Sequence, residues 1–254
     1  NEHGGLGQNN IVNYSSPVQI PGTSWSQVTM GDYNSGAIRT DGTLWMWGYN
    51  LHGQLGHNQA PSVKYSSPVQ VPGTTWSMVS ATALSKTGAI KTDGTLWMWG
   101  RNQYGELGQN SHSDDGFSSP VQVPGTTWNS ISLGTHNTMA SRNDGTLWVW
   151  GQADQGPLAQ NNRVQHSSPV QVPGTWATGG SKITMGGQQT NGYAGAIKAD
   201  GTLWTWGYNY HGALGQNQYN IQKSSPVQVG SETGWTSIAT QYLGFIGLMT
   251  DTTP

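Results

Sequence analysis

The chain has 254 residues, enough for one large all-β domain or two ordinary ones with a sizeable core. Only 9% of them are charged, and ten basic against twelve acidic side chains leave a net charge of −2. That balance argues against a partner held by phosphate neutralisation, the absence of Cys removes disulfides and thiolate chemistry, and no run of 18 apolar residues spans a membrane.

In chain order, the first string to recur is Ser-Ser-Pro-Val-Gln, beginning at Ser15 and again at Ser66, Ser118, Ser167 and Ser224. A Pro-Gly-Thr segment follows and ends in Trp25, with equivalents at Trp76, Trp128, Trp176 and Trp235. Next comes an alternating stretch, Gln27 to Gly31 in the first copy and Lys182 to Gly186 in the fourth, expected as strand A. Gly36 to Thr40, Gly88 to Thr92 and Gly195 to Ala199 are expected as strand B. Asp-Gly then follows at Asp41, Asp93, Asp144 and Asp200, supplying the φ > 0 residues of a tight hairpin. Strand C is Thr43-Leu44-Trp45-Met46-Trp47, apolar on both faces and therefore expected to be covered on both. The Ser-Pro-Val-Gln string is strand D, whose Pro suits an edge strand or a strand's first residue.

Recurrence of the Ser-Ser-Pro-Val-Gln and Asp-Gly strings at spacings of 49 to 57 residues marks one repeated unit rather than two unlike domains. A four-stranded antiparallel unit with two apolar faces cannot bury both alone, and stacking such units around an axis gives a β-propeller. A β-solenoid is the alternative, but its rungs are usually shorter and lack the Asp-Gly hairpin. The string Trp-Gly-x-Asn-x-x-Gly-x-Leu-Gly at Trp47–Gly56, Trp99–Gly108 and Trp206–Gly215, with the Asp-Gly-Thr-Leu-Trp hairpin before it, resembles the regulator-of-chromosome-condensation repeat over essentially the whole chain. The resemblance implies blades of about 50 residues in typically seven-bladed propellers. The third copy departs from the pattern between Trp150 and Ala159, losing the Asn and the last Gly, so its loop is expected to deviate.

The fold expected is all-β: a single propeller domain over residues 1–254, with four whole blades plus one split between the termini. Asn1 to Gly7 aligns with Asn50 to Gly56, and the last copy supplies strand A near Ile238 and strand B near Phe245 to Thr250 before stopping at Asp251. Either five blades close a ring or the chain is an excerpt of a larger one. The excerpt is favoured, because a missing inner strand exposes apolar faces and unpaired edges.

All thirteen Trp occupy repeat positions, so blade packing rather than a unique site accounts for them. Light sensing through Trp in the A–B loops, as the family's plant photoreceptor uses, is not implied, because loops such as Asp32 to Ser35 hold none. His3, His52 and His211 share one repeat position, so they cannot converge on a metal. The other four His show no ligand spacing. The hairpin Asp residues are turn formers, and Asp114-Asp115 is a solvated loop pair. No catalytic constellation, cofactor fingerprint or metal site is expected, and the chain is read as no enzyme.

In an up-and-down blade the A–B and C–D loops share one end, and these are the loops that differ between copies. The partner-binding candidates are therefore Asp32, Tyr33, Asn34, His136, Asn137, Tyr193 and Tyr242 from A–B loops, with His52, Tyr104 and His211 from C–D loops. Such an uncharged, Tyr-rich surface suits recognition of another macromolecule, although loops that nothing selects also drift. Low charge and the absence of Cys fit a surface, secreted or phage-particle protein more than a cytoplasmic one. Two further readings are a multivalent glycan binder using His3, His52, Tyr104 and His211, and nucleotide exchange on a small GTPase as the resemblance implies. The latter lacks the family's basic chromatin-binding tail.

Overall fold

The computed structural model describes residues 1–59, 62–82, 86–187, 191–241 and 244–250. Each Asp-Gly hairpin seeds a meander in which consecutive strands pair antiparallel. The first blade is β1 (Trp25–Met30), β2 (Asn34–Arg39), β3 (Leu44–Asn50) and β4 (Val63–Gln70). The second is β5 (Trp76–Ala81), β6 (Lys86–Lys91), β7 (Leu96–Asn102) and β8 (Ser113–Gln122). The third is β9 (Trp128–Leu133), β10 (Asn137–Arg142), β11 (Leu147–Gly151) and β12 (His166–Val172). The fourth is β13 (Ile183–Gly186), β14 (Tyr193–Ile197), β15 (Leu203–Gly207) and β16 (Lys223–Gln228), and a fifth sheet has only β17 (Trp235–Gln241) and β18 (Gly244–Met249).

The all-β, four-stranded-blade architecture expected from the repeat is present. The chain forms two compact units, Asn1–Gln103 with His112–Thr126, and Tyr104–Ser111 with Thr127–Pro254. Three local expectations change. The hairpin turn has φ > 0 at Gly42 alone, and Arg39 accepts from Gly42 N while donating to Thr43 O, so the loop has three residues and a Gly bulge. Strands β4 and β8 begin at Val63 and Ser113, inside segments expected as loop, because β3 and β7 run on to Asn50 and Asn102 and offer them partners. In the fourth blade strand A runs over Ile183–Gly186, within the Lys182 to Gly186 expected, after an inserted 3-10 turn, Gly180–Lys182, that leaves Trp176 only an isolated bridge to Lys198. Ser15–Gln19, expected as the split blade's strand D, carries no strand and is exposed, with no strand C beside it among the described residues.

Two kinds of Trp emerge from strand C. The second of each pair, Trp47, Trp99, Trp150 and Trp206, is buried, and its indole N–H donates at 2.8 Å to Gly5, Gln54, Glu106 and Pro157 O respectively. The Gly-x-Leu-Gly loop before each blade therefore lies across that blade's inner Trp. An indole burying roughly 150–250 Å² contributes on the order of 4–6 kcal/mol at about 25 cal/mol per Å². The first of each pair stays half-buried. Its expected sheet cover is replaced by a cation from the end of strand B: Arg39 Cζ lies 4.4 Å from the Trp45 ring and 4.7 Å from Trp25. Lys91, Arg142 and Lys198 repeat the arrangement.

Candidate functional site

The Gly-x-Leu-Gly loops fold on themselves through one side chain: Asn50 Oδ1 accepts from Leu55 N at 2.9 Å, and Asn209 Oδ1 from Leu214 N at 3.0 Å. In the third copy Ala153 stands at this position, and Gln152, one residue earlier, donates to Asp154 Oδ2 at 2.7 Å, the expected local departure. This folding brings the third residue of the loop beside the A–B loop of the next blade. His3 thus meets Tyr33 edge-on, centroids 4.9 Å apart, and stacks on Tyr49 at 4.5 Å. Tyr104 meets His136 at 4.6 Å in the same way within the second unit.

In the first unit these groups border a cavity of about 660 Å³ whose lining includes His3, Tyr14, Met30, Asp32, Tyr33 and Asn34. Tyr33 is 54% exposed, so most of its ring faces solvent. Asn34 is buried, its backbone oxygen accepts from Gly31 N at 2.9 Å, and its Nδ2 has no hydrogen-bond partner. Behind the aromatic group, Lys64 Nζ lies 5.5 Å from the Tyr49 ring.

The remaining candidates scatter. His52 is half-buried, and burial followed by the Arg101 guanidinium holds its imidazole below the usual value against the opposing pull of Asp114. His211 is exposed and packs edge-on to Tyr210 at 4.7 Å, beside a Tyr208–Tyr210 stack. His136, Asn137 and Tyr193 are buried rather than presented: Tyr193 is 2% exposed, packs on Phe245, and its hydroxyl, with burial raising its pKa, donates to Gly244 O at 3.5 Å. These three were expected at a contact surface and instead lie buried, because each sits where strand B begins. Tyr242 lies outside the described residues. Tyr49, which the sequence puts near the variable loops but outside the binding candidates, ends strand C and has two ring partners.

Among the described residues no group of three or more His, Cys, Asp or Glu is placed to hold a metal ion. The hairpin carboxylates are committed to turns: Asp41 Oδ1 accepts from Thr43 N at 2.9 Å and from its hydroxyl at 2.7 Å, and these bonds lower its pKa. Asp93, Asp144 and Asp200 do likewise.

The model of the regulator of chromosome condensation (RCC1) repeat matches residues 41–83, 93–141 and 200–240, and a second model of the same repeat matches residues 25–54. The chain belongs to the RCC1 repeat family. It is 29% identical over 233 residues to the ultraviolet-B receptor UVR8 of Arabidopsis thaliana, covering 90% of this chain and 52% of that protein. Among solved structures, human WBSCR16 superimposes with a TM-score of 0.82 at 20% identity, over 99% of this chain and 66% of that one. Yeast RCC1 (Prp20), solved bound to Kap60, gives 0.78 at 17% identity over 93% and 57%. These likenesses establish the RCC1 propeller fold. The RCC1 repeats here span about half the length of UVR8.

Proposed function

We propose that the chain is a non-catalytic recognition module that binds a protein partner through the end of its blades carrying the A–B and C–D loops, anchored on the groove beside Tyr33. The observation that carries this reading is the meeting of two variable loops at one place: His3 and Tyr33 pack edge-on at the rim of a cavity of about 660 Å³ and leave the Tyr33 ring largely exposed. Tyr, His and Asn around a concave surface, with Glu2 and Asp32 in its lining, suit a hot spot in which a few aromatic side chains supply most of the affinity. Yeast Prp20, a protein of the same fold, has been solved bound to Kap60 and described with its binding to Gsp1p and histones, which supports protein recognition as a use of this architecture.

The test is site-specific photo-crosslinking from position 33, followed by affinity measurement on whichever protein is captured. Tyr33→Ala is expected to weaken that complex about thirtyfold, the effect of truncating an interface anchor worth roughly 2 kcal/mol. Thr74→Ala, exposed in the Pro-Gly-Thr link at the other end of the strands, is expected to leave it unchanged. Equal loss from both variants, or from neither, overturns the reading.

A further inference from the structure

The cation clasped between two indoles recurs in all four whole blades, and in the fourth it opens onto a cavity of about 320 Å³. Trp204, Lys198 and Trp176 form one wall, and Gln160, Asn161 and Pro226 form the other. Lys198 Nζ lies 3.7 Å from the Trp204 ring centroid. The Trp204 indole N–H is already engaged, donating at 2.8 Å to Thr202 Oγ1, which in turn donates to Asp200 Oδ1. That chain of bonds satisfies the polar edge and fixes the ring, so what Trp204 has left to offer is the part of its π face that Lys198 does not cover. The opposite wall is equally set: Gln160 Nε2 donates to Gln171 O at 3.1 Å, and Asn161 Oδ1 accepts from Ser225 Oγ at 3.3 Å.

No carboxylate lines this groove, while a cation does. The same residue types return in each whole blade. The cation is Arg39, Lys91, Arg142 or Lys198, and the half-buried Trp is Trp45, Trp97, Trp148 or Trp204, each donating to a Thr. The left-handed Asn is Asn9, Asn58, Asn110 or Asn161. The two-stranded fifth sheet lacks the device, for Met249 takes the cation's place opposite Trp235.

We propose that this groove, repeated once per whole blade, binds an acidic saccharide. The C–H face of a pyranose ring packs on the part of the half-buried Trp that the cation and the core leave uncovered, its carboxylate pairs with the clasped Lys or Arg, and its hydroxyls meet the amide wall. Each groove is shallow and binds weakly, so affinity for a polymer comes from engaging several at once. The proposal is independent of the protein-recognition reading, because Lys198 and Trp204 flank the Asp200-Gly201 turn at the opposite end of the strands from the A–B loops.

Four groups of indole N–H signals in a nitrogen–proton correlation spectrum of the whole chain report the four grooves separately. Digalacturonate is expected to shift the signals of Trp45, Trp97, Trp148 and Trp204, with its neutral dimethyl ester about tenfold weaker for want of the charge-assisted contact. Lys198→Met is expected to abolish the Trp204 shift and leave the other three. Ser225→Tyr, which fills the fourth groove without touching the cation, is expected to do the same. Equal binding of acid and ester, shifts produced by decaproline but not by digalacturonate, no shift at millimolar ligand, or a Trp204 shift that survives both substitutions would each overturn the proposal.

Discussion

At the scale of single residues, repeat positions show what one side chain can replace. Gln8 and Gln160 each donate from Nε2 to a carbonyl of the next Pro-Val-Gln segment, Gln19 O and Gln171 O. In the second copy His57 holds that place, with Nε2 3.0 Å from Val69 O. A neutral imidazole protonated at Nε2 serves as well as the amide, but burial lowers the pKa of His57 from its ordinary 6.5, with the Val69 bond opposing. The folded state therefore resists a proton that the unfolded chain accepts. His57 contributes stability that is fully present above about pH 6.5 and is lost as pH falls through its folded pKa. His57→Gln is expected to flatten the pH dependence of the urea midpoint below about pH 6.5 while leaving the midpoint at pH 8 nearly unchanged. Titrations whose slopes coincide across that range for both proteins would contradict it.

At the scale of elements, the strands and their order were legible because period-2 alternation, Asp-Gly and Ser-Pro each mark a physical requirement. Alternation covers two faces, Gly42 takes φ +78°, and Pro occupies the outer edge strand. The cation clasp was not legible. It depends on the register that sets Trp25 opposite Arg39, a pairing set by a bulge beside Gln27 that no alternation pattern announces. The meeting of His3 with Tyr33 was hidden for a similar reason, since it arises from packing between loops of neighbouring repeats. Close approach of these loops can be tested. Gly53 has φ +82°, and a Cβ there would stand 2.5 Å from Ser118 Cα, a backbone atom that cannot step aside. Gly53→Ala is expected to cost about 3 kcal/mol in chemical denaturation, combining left-handed strain with a steric clash. Gly244→Ala, where a Cβ meets nothing within 4 Å, is expected to change stability by no more than about 0.5 kcal/mol.

At the scale of the whole molecule, repetition makes each blade a measure of the others. The residue three places after the Pro-Gly-Thr Trp is Val79, Ile131 and Ile238 in the second, third and fifth copies, and Ile183 holds the matching register in the fourth. All four are buried, at 2–3% exposure. In the first blade the same position is Val28, 65% exposed, with Met30 beyond it at 77%. Nothing in the local sequence separates Val28 from its counterparts. Within the first unit Val79 lies beside the preceding blade, where Gln27 exchanges hydrogen bonds with its backbone, and within the second Ile183 and Ile238 share core clusters with residues of the blade before them. In the second unit Ile246 and Leu248 stand 52% and 63% exposed, whereas Ile38, Ile90 and Ile197, which match Leu248, are almost fully buried. Each exposed face has the chemistry of a blade interface, and apolar surface of this kind drives association in water. Val28→Thr together with Met30→Thr is therefore expected to lower the concentration-dependent rise in light-scattering mass of the chain. The thermal midpoint is expected to stay within about 2 °C of the parent, since the two side chains bury little in the folded state. An unchanged mass profile would show that this face, although built like a blade interface, does not attract its own kind.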